Sequence, residues 1–126
     1  MTTIRDEIIP FIKRHYPSYS EGEVISMRAR YLRDTLEDVV YRLNAIFEMS
    51  NEVIMLVGTE LHEYVEAIEV KIILKKIIPI DHTSEEWKKA YRMTHPIALR
   101  LEAKYYEEKG KPDLAKEALK RGFETF

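Results

Sequence analysis

Apolar residues recur at helical spacing along one stripe that extends from Ile25 to Ile72. Charged residues occupy the opposite face in the first half of this stripe, as expected for an amphipathic helix. The apolar positions of that half are Ile25, Ala29, Leu32, Leu36, Val39, Val40, Leu43, Ile46 and Phe47. We therefore predict a helix over about residues 21–48, which begins after the N-cap residue Ser20.

The stripe continues in the same phase through a second segment. Its apolar positions there are Ile54, Val57, Leu61, Val65, Ile68 and Ile72. One unbroken helix over about 21–77 is the alternative, but helices of globular proteins seldom exceed about 25 residues. Because Ser50 and Asn51 are good N-cap residues, we favour a break near 49–52 and a second helix over about 52–77.

A second apolar face opens near the end of this segment, almost opposite the first. It consists of Val70, Ile73, Leu74, Ile77 and Ile78. A helix that is apolar on two sides is buried between layers or contacts another chain. We predict that these residues form an oligomer or partner interface. A short strand over residues 70–78 is the alternative, because the segment is rich in β-branched residues.

Shorter helices are predicted at both ends of the chain. Thr3 and Asp6 form a capping box for an N-terminal helix, which Pro10 is expected to kink or restart. After residue 80, Thr83 is expected to cap a short helix, and the His95-Pro96 pair to begin another. The fold class is thus an all-α, elongated helical bundle in one domain over residues 1–126, with one or two long central helices, a short N-terminal helix and a C-terminal helical hairpin.

The C-terminal hairpin resembles a single tetratricopeptide unit. Apolar and small residues occupy the expected spacings at Leu99, Ala103, Tyr106, Ala115 and Leu119, with Gly110 at the turn. The pattern departs from that family at Glu102, where an apolar residue is expected, and at Gly122. No second copy follows, and stacked repeats need about three units. An ordinary antiparallel hairpin explains the same pattern, so the resemblance implies no peptide-binding role.

Composition narrows the function classes. The net charge is −2 with a pI of about 6.1, which disfavours a dedicated binder of polyanions. Cysteine is absent, which excludes disulfides and thiolate metal sites. Glutamine is absent too and asparagine occurs only at positions 44 and 51, whereas Lys and Glu are abundant. This composition is typical of hyperthermophiles, and we predict a thermophilic, archaeal source.

Neither a membrane span nor a secretory signal is predicted. The chain has no run of about 18 apolar residues, and its first residues include acids rather than a long apolar segment. We therefore expect a cytoplasmic protein, or a virion component if the protein is viral.

The segment His62-Glu63-Tyr64-Val65-Glu66 resembles the metal-binding helix of zinc hydrolases. That helix carries a second histidine four residues after the first, and here the position is Glu66. The other histidines are predicted to lie in loops. Glu60, Glu63, Glu66 and Glu69 are then interpreted as a solvated acidic margin, and we predict no metal, no cofactor and no catalytic residue.

A basic region around Arg28–Arg33 is the candidate nucleic-acid contact. The residues assigned to it are Lys13, Arg14, Arg30 and Arg33. Acidic residues at 34, 37 and 38 follow closely and favour a salt-bridged helix surface instead.

Helix length decides the predicted function. A compact domain of this size is about 36 Å across, whereas a helix over 21–48 is already about 42 Å long. Its apolar surface would then need a second copy or a protein partner. We predict a non-catalytic self-assembly or protein-interaction subunit, such as a coat-like structural protein from a thermophilic archaeal system. A nucleic-acid-binding accessory protein is the alternative.

Overall fold

The computed structural model of the chain describes residues 1–75 and 81–124, with side chains as far as Arg121. Within these ranges the six helices are α1 (Ile4–His15), α2 (Glu21–Tyr31), α3 (Leu36–Leu43), α4 (Asn51–Leu74), α5 (Glu85–Glu108) and α6 (Pro112–Glu124). Two short strands, β1 (Thr2–Thr3) and β2 (Ile46–Phe47), pair in antiparallel fashion. The predicted all-α bundle is confirmed.

Helices α4 and α5 form the centre of the bundle. Each has 24 residues, which corresponds to about 36 Å at 1.5 Å per residue. They are antiparallel, because His62 contacts Glu102 whereas Glu66, one turn further along α4, contacts His95, which lies earlier in α5. Helices α1 and α2 pack against α4, and α6 packs against α5.

The second half of the predicted stripe forms the core side of α4. Val57, Leu61, Val65 and Ile68 are almost inaccessible to solvent and pack among residues of α1, α2 and α5. Burial of such apolar surface is the main favourable contribution to folding. Of the helices described, none combines the length and the apolar character needed to cross a membrane.

The predicted single helix over 21–48 is wrong in detail. Helix α2 ends at Tyr31, Arg33 adopts a left-handed conformation (φ 59°), and α3 begins after the N-cap Thr35. The helix is interrupted here because the stripe is not buried throughout: Leu36, in the middle of the stripe, is 55% exposed. Without core contacts there, nothing offsets the favourable cap that Thr35 provides to the backbone N–H of Asp38.

The predicted break before the second long helix is confirmed. Helix α3 ends at Leu43, and Ser50 caps α4 by accepting a hydrogen bond from the N–H of Val53. The structure also decides between helix and strand over residues 70–74, which continue α4. Ile77 and Ile78 lie outside the described residues.

The predicted boundary at His95-Pro96 is wrong, because α5 continues through Pro96 from Glu85 to Glu108. Proline in a helix removes one backbone hydrogen bond, but residues on either side of it, such as Thr94 and Ala98, are buried in the core and stabilise the helix there. The N-cap is Ser84 rather than Thr83. The turn at Gly110 is as predicted, with a positive φ of 72° directly after the helix.

Candidate metal centre

Four polar side chains meet between α4 and α5 in the interior of the bundle. His62 and Glu66 are supplied by α4 and lie four residues apart, which places them on the same helix face. His95 and Glu102 are supplied by α5. Glu66 is 4% exposed, His62 is 7% and Glu102 is 1%. We call these four residues the His–Glu cluster.

Three members of the cluster direct potential metal ligands towards one point. Nε2 of His62 and Nδ1 of His95 both contact a carboxylate oxygen of Glu66, the second at 2.9 Å. The three ligand atoms lie within 4.8 Å of one another. Ligand atoms that share a tetrahedral zinc ion are about 3.4 Å apart, given bonds of about 2.1 Å. A small side-chain adjustment therefore brings all three into coordination range.

The remaining contacts hold these ligands in position. Glu102 accepts a hydrogen bond from Nδ1 of His62 at 3.0 Å, on the side of the ring away from Glu66. Glu102 is itself held by the Tyr106 hydroxyl and by Arg121, each at 2.6 Å. A carboxylate on the far nitrogen of a metal-binding histidine fixes its tautomer and raises its basicity.

Glu66 is held in a similar way from α2. The Tyr31 hydroxyl donates a hydrogen bond of 2.9 Å to its second carboxylate oxygen. Burial and the neighbouring carboxylate raise the pKa of this phenol, so the hydroxyl keeps its proton. Tyr31 thus orients Glu66 without competing with it for a cation.

The charges of the cluster are strongly coupled. Burial alone would lower the pKa of His62, but the hydrogen bonds to Glu102 and Glu66 outweigh it and raise the pKa to about 9. Burial alone would raise the pKa of Glu66 and of Glu102, but the hydrogen bonds that each accepts, from His62 and from further donors around it, outweigh burial and lower both pKa values. Without a metal ion, a protonated His62 therefore donates to both carboxylates and offsets part of their negative charge.

A cavity of about 370 Å³ adjoins the cluster. This volume falls within the range of small-molecule sites. His62, Glu66 and His95 line it together with aromatic side chains of α2 and α5, so a metal ion held by the three would face it. Glu63 lines it as well, and burial and the nearby Glu66 raise the pKa of Glu63 to about 7.

Two sequence-based interpretations of this region are wrong. The acidic residues of α4 are not a solvated margin, since Glu66 is buried, Glu69 accepts a hydrogen bond from Tyr16, and Glu60 pairs with Arg28. His95 lies in the middle of α5 rather than in a loop. The signal in the sequence was the pair His62 and Glu66 beside an apolar stripe, but its partner helix could not be identified without the register between α4 and α5.

The basic residues assigned to nucleic-acid contact lie on different elements. Lys13 and Arg14 are in the last turn of α1, Arg30 is in the last turn of α2, and Arg33 is in the loop that follows. All four are exposed. Arg14 forms a bidentate ion pair with Glu108 of α5, which neutralises the charge of Arg14 locally.

The residues assigned to an interface pack within the chain where they are described. Val70 is fully buried, and Ile73 and Leu74 are half-buried against the core.

Comparison of the chain with protein families, with curated proteins and with solved structures gave no match.

Proposed function

We propose that the protein binds a divalent transition-metal ion through His62, Glu66 and His95, and that the ion keeps an open coordination position towards the cavity. Two imidazoles and one carboxylate form a recurrent ligand set of zinc and non-haem iron proteins. Structural zinc sites are closed by four protein ligands, whereas catalytic sites use three and leave a position for water or substrate. The geometry thus favours metal-assisted chemistry on a small molecule.

The observation that carries this proposal is the convergence of three ligand atoms at the wall of a cavity. Its support comes from Glu102 and Tyr31, which orient His62 and Glu66 as the outer residues of metal sites do. A purely structural ion network has no need of an adjacent cavity of molecular size.

Titration of the purified protein with Zn²⁺, and with Co²⁺ as a spectroscopic probe, tests the proposal. We expect one tightly bound ion per chain and a visible Co²⁺ spectrum that indicates nitrogen and oxygen ligands. His95→Gln should weaken binding at least tenfold, because it removes one of three ligands. His15→Gln is the matched control, since His15 ends α1 and packs on Phe11 outside the cluster. Equal binding by both variants, or no stoichiometric binding at all, would refute the proposal.

Self-association is the second candidate function, in line with the assembly subunit predicted from the sequence. Several large apolar side chains are exposed, among them Leu36, Ile46, Met55, Leu56 and Ile72. A coat-like role in a thermophilic archaeal system is one form that such assembly would take. Light-scattering mass measured over a range of concentrations tests it: a rise in mass supports assembly, and a constant monomer mass refutes it.

A further inference from the structure

Four aromatic rings form a continuous stack that ends at the proposed metal ligand His95. The ring centroids of His82 and Trp87 are 4.5 Å apart, those of Trp87 and Tyr91 are 5.1 Å apart, and those of Tyr91 and His95 are 4.9 Å apart. The planes of neighbouring rings differ by only 18–25°. Trp87, Tyr91 and His95 are four residues apart on α5, so the helix itself sets this spacing. We call these four residues the ring stack.

The ring stack lines the same cavity as the metal ligands. Because each ring covers the face of the next, the faces within the stack are already occupied and the cavity is bordered by ring edges. A flat ligand would gain little from stacking against such a wall. The polar atoms on the ring edges are therefore the groups available for recognition.

Two of these edge atoms are buried without a partner. Among the described residues, no acceptor completes a hydrogen bond to Nε1 of Trp87, and Nε2 of His82 is likewise unsatisfied. The indole lies near enough to the Tyr31 hydroxyl to oppose part of the rise in that phenol's pKa, but the two groups do not meet in hydrogen-bond geometry. Indole N–H is a donor only, and buried donors are almost always paired in native proteins. This donor calls for an acceptor that enters the cavity.

The two ends of the cavity thus make different demands on a ligand. At His95, a divalent ion bound by a single carboxylate and two neutral imidazoles keeps a net positive charge and favours an anionic oxygen in its open position. Trp87 lies two rings further along the stack, and its N–H requires a second acceptor atom on the ligand. Arg33 brings further positive charge to this end, where burial and its charge together lower the pKa of His82.

We infer that the metal-loaded cavity binds a small, extended anion, with one carboxylate on the metal ion and a second acceptor oxygen on Nε1 of Trp87, as in a linear dicarboxylate. This inference rests on the proposed metal site and adds the chemical class of its ligand. Trp87 then binds the second oxygen of the ligand, and the remaining rings form a rigid wall of the cavity.

Calorimetric titration of the zinc-loaded protein with dicarboxylates of increasing chain length, from succinate through glutarate to adipate, tests the inference. Butyrate is the matched probe, because it offers the metal the same carboxylate without a second acceptor. We expect one dicarboxylate of the series to bind at least tenfold more tightly than butyrate, as a hydrogen bond to a charged group would give.

Trp87→Phe is the decisive variant, since it keeps an aromatic ring in the stack and removes only the donor edge. It should remove most of the advantage of the dicarboxylate and leave the affinities for butyrate and for zinc unchanged. In the unaltered protein, the indole N–H resonance of Trp87, the single tryptophan of the chain, should shift when the dicarboxylate is added to the zinc form. This measurement does not depend on how well the variant folds.

The outcomes separate the two proposals. Zinc binding with equal affinities for dicarboxylates and butyrate, or with an unmoved indole resonance, overturns the inference and leaves the metal site intact. Failure to bind zinc overturns the metal site and, with it, the ligand assigned here.

Discussion

At the residue scale, His62 is the most informative side chain of the protein. It lies between Glu66 and Glu102 with both ring nitrogens engaged. The sequence predicted neither contact, because a histidine beside acidic residues on a helix is typical of a solvated face. Burial changes the chemistry, since charges that water would screen now interact strongly.

Glu102 is the residue whose role is most specific. In the hairpin pattern it occupies a position where an apolar residue is expected, and its contact with His62 explains that departure. We predict that Glu102→Gln lowers zinc affinity about ten- to hundredfold, because a neutral amide no longer raises the basicity of the histidine. Glu107→Gln, an exposed change on the same helix, is the control. Equal zinc affinity in both variants would show that Glu102 does not support the ligand.

The pKa of His62 predicts how the stability of the metal-free protein depends on pH. Its pKa is about 9 in the folded chain and about 6.5 in an unfolded one. Because the folded chain binds this proton more tightly than the unfolded chain, protonation of His62 stabilises the fold. This contribution is complete below about pH 6.5 and is lost as the pH rises through about 9. We expect the free energy of unfolding to fall by about 2 kcal/mol between about pH 7 and pH 9.

Urea unfolding at a series of pH values measures this loss. Glu63 titrates with a pKa of about 7. Its contribution to the pH dependence of the free energy of unfolding is therefore largely complete in the pH range where the contribution of His62 still changes. His62→Gln is the comparison, because it lacks the titrating group. A slope above pH 7 that persists in this variant would assign the effect to another residue.

At the element scale, local rules predicted helix starts better than helix lengths. The capping box of Thr3 with Asp6 and the N-cap Ser20 are present as predicted, and Glu23 completes a second capping box with Ser20. These signals are local, since a side chain and a backbone N–H three residues away suffice. The ends of α2 and the continuation of α5 through Pro96 depend on packing against other helices. A periodic apolar pattern carries no information about that packing.

The close approach of α4 to α5 depends on a glycine. A Cβ atom at Gly58 would lie 2.3 Å from the ring of Tyr106, which donates a hydrogen bond to Glu102. We predict that Gly58→Ala lowers the free energy of unfolding by about 1–3 kcal/mol, because the overpacking outweighs the higher helix propensity of alanine. Chemical denaturation measures the change.

Gly22→Ala is the matched control for this substitution. Gly22 lies in the first turn of α2, and a Cβ there meets no atom within 4 Å. Here alanine should stabilise the protein by up to about 1 kcal/mol. If both variants gained stability, the contact between the two helices would be looser than described.

At the scale of the whole molecule, the fold class followed from the sequence and the site did not. Helical periodicity and caps are local properties, and they sufficed to predict an all-α bundle with a C-terminal hairpin. The His–Glu cluster joins residues as many as 40 positions apart, such as His62 and Glu102. That pairing requires the register between α4 and α5, which is set by the core as a whole.

The predicted need for a partner also changes at this scale. It rested on a helix over 21–48 too long for one small domain, but the chain divides that segment into α2 and α3 and folds both onto the bundle. The proposed assembly would therefore depend on the exposed apolar side chains alone. The cavity and the three potential metal ligands that line it now give the stronger basis for a function.

The central claim is that His62, Glu66 and His95 bind one metal ion. Anomalous diffraction from crystals of the zinc-loaded protein, measured on both sides of the zinc absorption edge, tests it most directly. We expect one strong peak within about 2.2 Å of Nε2 of His62, Nδ1 of His95 and a carboxylate oxygen of Glu66. A cluster with no peak, in which His62 still contacts Glu66 directly while zinc is bound elsewhere, would contradict the account.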